Sequence, residues 1–239
     1  MTILGGVNRN NILIAAILLV VVALAAAGAY YGKTYLSRNS GYARNEASES
    51  PRIKTEFTVF EKIRPVEHED NLGHRFVIAD EQHSVRHTLN LYFVESPPLE
   101  LDETTELTLA RLASYFGDAP LDKLTEIGKT AQAFTQKQLT RSFRIATLYE
   151  PSKQRPGIYG FVLLRKDDGS EEYLCEKLVS EGLAAIRPEG SYLPYGEPQD
   201  KYRQHLVRLE KKAKAEKKGV WAFSRHPADG GFKEEPAAK

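Results

Sequence analysis

From residue 53 onward, short β-forming runs and longer amphipathic stretches follow one another in an order that limits the folds open to the chain. Thr55-Glu56-Phe57-Thr58-Val59-Phe60, Arg75-Phe76-Val77-Ile78 and Thr88-Leu89-Asn90-Leu91-Tyr92-Phe93-Val94 are rich in β-formers and separated by polar turns, which predicts an antiparallel meander. Ser96-Pro97-Pro98 stops the third run, because proline cannot donate to a strand ladder. Residues 105–116 carry Leu107, Leu109, Leu112 and Phe116, and residues 122–141 carry Leu124, Ile127, Ala131, Phe134 and Leu139. Gly117-Asp118-Ala119-Pro120 divides them into two helices. Alternation over 143–149 and a nearly continuous apolar run over 158–164 predict two more strands, with a turn at Asp168-Gly169. A helix over 174–185 and another over 199–218 follow, the last with Tyr202, Leu206, Leu209 and Ala213 on one face. Residues 224–239 read as a disordered tail.

This order predicts an α+β fold with a five-stranded barrel of the oligonucleotide/oligosaccharide-binding type and three or more helices. It occupies 53–223, with a helical insertion at 99–125, and residues 32–52 read as a polar linker. A flank over 1–11 leads into ILIAAILLVVVALAAAGAYY at 12–31, which is free of charge and ends on Tyr30 and Tyr31. As a helix it would be about 30 Å long, the thickness of a bilayer's hydrocarbon core, so it is expected to be a single-pass membrane anchor. The competing reading is a signal peptide cut near Ala27-Gly28-Ala29, which would export the domain to the periplasm or the medium.

One cysteine, Cys175, excludes an internal disulfide framework and any multi-cysteine metal site. With 33 basic and 32 acidic residues the chain has no global attraction to a polyanion. The charge is instead divided by segment: 199–218 carries a net +5, and 99–126 a net −5. Lys211, Lys212 and Lys214 in the first are candidate phosphate contacts, and Tyr192 and Tyr195 in the preceding loop are candidate stacking residues. Glu67-His68-Glu69-Asp70 has metal-ligand residue types but reads better as a solvated turn. His83 and His87 are expected to face water.

Four pieces in order resemble the staphylococcal nuclease (thermonuclease) family: Leu91-Tyr92-Phe93-Val94-Glu95-Ser96-Pro97, the helix Ile127 to Lys137, the stretch Tyr173 to Ala184 with Leu178-Val179 and Gly182-Leu183-Ala184, and a last helix closing on Gly219-Val220-Trp221. The resemblance implies a calcium-dependent phosphodiesterase site of two metal aspartates, a catalytic glutamate and two arginines. Its second metal aspartate falls on Glu95, the threonine after it on Ser96, and the first metal aspartate nearest His74. The catalytic glutamate falls on Pro98 and the strand arginine on Asn90, while the second arginine falls on Gly157, with Arg155 two residues earlier. Proline offers no base, and asparagine cannot replace a charged guanidinium fork. The expectation is a domain that binds nucleic acid or another protein, without nuclease activity and without a cofactor. The alternative is a divergent active nuclease that uses Glu95, Arg155 and Glu100 with Ca²⁺.

Overall fold

The computed structural model describes residues 53–80, 86–152 and 156–233. The expected membrane span at 12–31, the linker, His83 and Arg155 lie outside the described residues. Among the described residues no helix is long and apolar enough to cross a membrane.

The strands are β1 (Thr58–Phe60), β2 (Ile63–Val66), β3 (Arg75–Asp80), β4 (Arg86–Leu91), β5 (Val94–Glu95), β6 (Phe143–Thr147), β7 (Ile158–Arg165), β8 (Glu171–Tyr173) and β9 (Ala185–Ile186). The helices are α1 (Glu106–Tyr115), α2 (Leu121–Gln138), α3 (Leu174–Ser180) and α4 (Gln199–Ala215), and a 3₁₀ turn spans Gly219–Ala222. The main sheet runs β1-β6-β7-β4-β3-β2, with β8 on β7, and β5 pairs with β9 in a separate ribbon. All main-sheet neighbours are antiparallel except β4 and β7, which run parallel through the crossover that carries α1 and α2.

The structure is therefore α+β, but the sheet is not closed into the expected five-stranded barrel. The two ends of its strand path, β1 and β2, are consecutive in the chain, separated only by Glu61 and Lys62. β1 pairs with β6 and β2 with β3, and no β1–β2 pairing joins the two ends. The expected meander is corrected in the same way: the run at 55–60 turns away from β3, and the unforeseen strand 63–66 takes its place. Pro65 is tolerated there because β2 is an edge.

The sheet interior holds the larger core, with Phe76, Ile78, Leu89, Ile145, Phe161 and Leu163 all nearly inaccessible to solvent. The insertion builds a second core, in which Leu109, Leu112 and Phe116 of α1 meet Ala213, Val220 and Trp221. Leu107, expected on that buried face, is 83% exposed. It stands two residues before Leu109, about 200° around the helix, and so faces away. Residues 224–233, within the stretch read as a tail, are bonded to the insertion. The Arg225 and His226 amides donate to Gly117 O and the Gly231 amide to Tyr115 O.

α2 is seated by contacts that demand small residues. A Cβ on Gly128 would lie 2.2 Å from Pro98 O and 2.7 Å from Pro97 O. One turn on, Ala131 meets Gly73, Thr135 Oγ1 donates to Gly73 O (2.7 Å) and Gln132 Nε2 donates to Asn71 O (2.6 Å). The helix thus clamps both the 71–74 turn and the Pro97-Pro98 stop, the two chain segments that carry His74 and Glu95.

Candidate functional site

After β4 the chain turns sharply at Phe93, whose φ of +68° is rarely adopted by a non-glycine residue. Burial of its ring and two hydrogen bonds hold the turn: Phe93 N donates to Glu189 O, and Arg187 N donates to Phe93 O. The turn lets β5 pair with β9, Val94 with Ile186 and Glu95 with Ala185. That pairing brings Arg187 beside Glu95.

Glu95 is buried and lies between two guanidinium groups. Arg111, from the insertion helix, donates to Glu95 Oε2, and Arg187 Nε stands 3.5 Å from the same oxygen. Burial alone would raise the Glu95 pKa. The His74 imidazole and the Arg111 and Arg187 guanidinium groups outweigh it, and hold the carboxyl below its ordinary value.

His74 is buried one layer behind. The Ser96 amide donates to His74 Nδ1 (3.0 Å), and Ser96 Oγ lies 2.9 Å from the same nitrogen. The three residues weighed as metal ligands, Glu95, Ser96 and His74, thus converge. Ser96 and His74 bond to each other, and Glu95 is taken up by arginines. Among the described residues no group of three or more His, Cys, Asp or Glu side chains is placed to hold a metal ion.

The space between these groups is small. His74, Asn90, Glu95, Ser152, Tyr159, Arg187 and Glu189 line a cavity of about 30 Å³, the size of one water. Asn90, where the resemblance implies the strand arginine, is buried and donates to Pro156 O (3.4 Å). Gly157 adopts a φ of +116° close above Thr88, where a Cβ would lie 2.3 Å from Thr88 O. Pro98 is buried under α2. Glu100 is exposed in the loop leading to α1 and is not part of the cavity wall.

The candidate nucleic-acid contacts divide into two groups. Lys211 and Lys212 are exposed on α4, and Lys212 Nζ lies 3.8 Å from Glu216. Lys214 is committed inward: it donates to Gly230 O (2.6 Å) and lies 4.5 Å from the centre of the Trp221 ring. Tyr192 packs edge-on against Phe57 with Lys54 over its ring, and Tyr195 hydrogen-bonds Glu171 and Arg144. Both tyrosines pin their loop. His87 forms a cluster with Phe60 and Tyr149, ring centres about 6 Å apart.

Arg111 and Arg187 were not candidates on sequence grounds. Arg111 carried one signal, as a lone arginine in an acidic helical insertion. Arg187 carried none, because only the short β5–β9 ribbon brings it to Glu95.

With this geometry in place, comparison with known proteins is specific. Residues 105–223 match the model of the family described as staphylococcal nuclease homologue. A 71-residue stretch, 30% of the chain, is 38% identical to Staphylococcal nuclease domain-containing protein 1 of Drosophila melanogaster. The match covers 7% of that relative's length.

Proposed function

Because the chain carries a domain of the staphylococcal nuclease homologue family over residues 105–223, we propose that it is a nucleic-acid-binding module that has lost metal-dependent hydrolysis. The observation that carries this reading is the pairing of Glu95 with Arg111 and Arg187. A hard cation needs ionised oxygen ligands with lone pairs free. The carboxylate that the resemblance puts at the family's metal acid instead faces two guanidinium groups, each of which would repel a divalent ion. Pro98 and Asn90, where the resemblance implies two further catalytic residues, favour the same reading, since loss of one transition-state donor alone costs about 10²–10³ in rate.

Binding would rest on the exposed basic face of α4, including Lys211 and Lys212. The apolar stretch at 12–31 would tether the module to a membrane, with the basic residues Lys33, Arg38 and Arg44 keeping the domain on the cytoplasmic side. The alternative is export of the domain after cleavage of that stretch.

The test uses the full chain in mild detergent with a labelled single-stranded oligonucleotide, with and without Ca²⁺. The expected result is intact oligonucleotide and an affinity that falls at least about tenfold between about 50 and about 200 mM salt. Cleavage abolished by a chelator overturns the loss of hydrolysis, and absence of salt-dependent binding overturns the module. Alkaline carbonate extraction of cell membranes tests the tether, which predicts that the chain stays in the pellet.

A further inference from the structure

A cavity of about 900 Å³ lies beside the small inherited one, between α1, the segment after β9, α4 and the docked C-terminal stretch. Arg111, Arg187 and Arg203 line it, with Phe232. The three arginines form one continuous group. Arg111 and Arg187 share Glu95, and Arg203 donates to the carbonyl of Pro188, the residue after Arg187 (3.1 Å).

Their charge is only partly compensated. Arg111 and Arg187 share Glu95, Arg187 also pairs with Glu189 (3.2 Å), and Asp200, 3.3 Å from Arg203, is 88% exposed. Arg203 Nε is buried without a hydrogen-bond partner, in a class of atom that native structures almost always satisfy. Beyond Glu95, the remaining N–H groups of Arg111 have no protein partner among the described residues. The Arg203 guanidinium lies 5.9 Å from the centre of the Phe232 ring, so a flat apolar face adjoins the cationic end.

Two acids line the cavity near the end of α1. Asp118 and Asp229 are exposed and grouped about Gly117, through the bonds from the Asp229 amide to His226 O and from the His226 amide to Gly117 O. Asp200, beside Arg203, and Lys233 also line the cavity.

We propose that this groove binds a single terminal phosphate of a nucleotide or strand end, with Arg111, Arg187 and Arg203 as the phosphate contacts and Phe232 as the face for the sugar or base. It goes beyond the reading above by naming a second site, and rests on that reading only in taking the ligand to be a nucleotide. A phosphate monoester carries nearly two charges and three acceptor oxygens, against one charge for an internal diester, so three arginines favour the terminus. With the groove empty, Glu95 keeps two of the guanidinium groups in position, which lowers the ordering cost of binding. Asp118 and Asp229 repel a second or third phosphate, so a monophosphate is favoured over a triphosphate.

The test is calorimetric titration of the full chain in mild detergent with thymidine 5′-monophosphate, thymidine, thymidine 5′-triphosphate and inorganic phosphate. The monophosphate is expected to bind most tightly and thymidine not to bind. Arg203→Ala and Arg111→Lys are expected to weaken the monophosphate at least about tenfold, because lysine cannot form the planar fork. Should either variant melt early, the pair Asp118→Asn and Asp229→Asn gives an independent reading through exposed residues, with tighter triphosphate binding expected. Equal binding of thymidine and its monophosphate overturns the proposal. So does an unchanged affinity in the arginine variants, or an unchanged triphosphate affinity in the asparagine pair. An unphosphorylated oligonucleotide separates the two readings. If it binds with salt dependence while the monophosphate does not bind, the groove proposal fails alone. If the monophosphate binds and the oligonucleotide does not, the module fails alone.

Discussion

Arg111 and Glu95 form an ion pair that joins the insertion helix to the ribbon at the end of β5. The pair makes the insertion part of the domain's electrostatics as well as of its packing.

Glu95→Gln removes the charge that Arg111 and Arg187 share. Deleting one partner of a fully buried pair costs about 3–5 kcal/mol, and the partial exposure of both arginines lowers the expectation to about 1–3 kcal/mol. Because the folded carboxyl lies below its ordinary value of 4.5, its stabilisation is present above that value and is lost as the pH falls through the lower folded one. Urea unfolding of the natural chain should therefore weaken on acidification. In the Gln variant that acid limb should be flatter.

Glu210 predicts the opposite slope. It is buried, accepts hydrogen bonds from Tyr115 Oη and the Phe232 amide, and burial pushes its pKa above the ordinary value. A carboxyl raised on folding stabilises at low pH, and that contribution is lost as the pH rises through the folded value. Glu210→Gln should gain on the natural chain as the pH rises, on the order of 1 kcal/mol or about 2–4 °C in Tm. A Tm difference that does not change with pH would contradict a charged, desolvated Glu210.

Gly128→Ala should destabilise although it lies inside a helix. Alanine is favoured over glycine there by about 1 kcal/mol, but its Cβ would collide with the Pro97 and Pro98 carbonyls. A net loss of about 2 kcal/mol in thermal or urea unfolding is expected.

Leu109→Ala and Leu107→Ala test which face of the insertion helix is buried. Leu109 is fully buried and its truncation should cost about 2–5 kcal/mol, whereas Leu107 is 83% exposed and should change stability by less than about 0.5 kcal/mol. Similar costs at both positions would mean that α1 sits in another register.

The helices were legible because their apolar spacing is long and regular. Leu109, Leu112 and Phe116 repeat on one face, and Gly117, with a φ of +65°, ends the helix where its composition predicts. β2 was hidden because Pro65 and the charged Arg64 argue against a strand unless it is an edge. Glu210 read as part of a solvated basic face, yet it is buried, because the C-terminal stretch folds back and donates to it. Glu95 stood out in its motif. Its arginine partners were not, since one comes from an insertion and the other from a two-residue strand pairing, and neither leaves a local pattern.

The bend at Glu61 and Lys62 has a consequence for neighbouring copies. One stretch of chain forms both ends of the main sheet's strand path, as strands of three and four residues, one of them bearing Pro65. Short, kinked margins give another molecule little backbone on which to add a strand. That protection would matter most if many copies were concentrated along one surface, where chance edge-to-edge growth is the constant hazard.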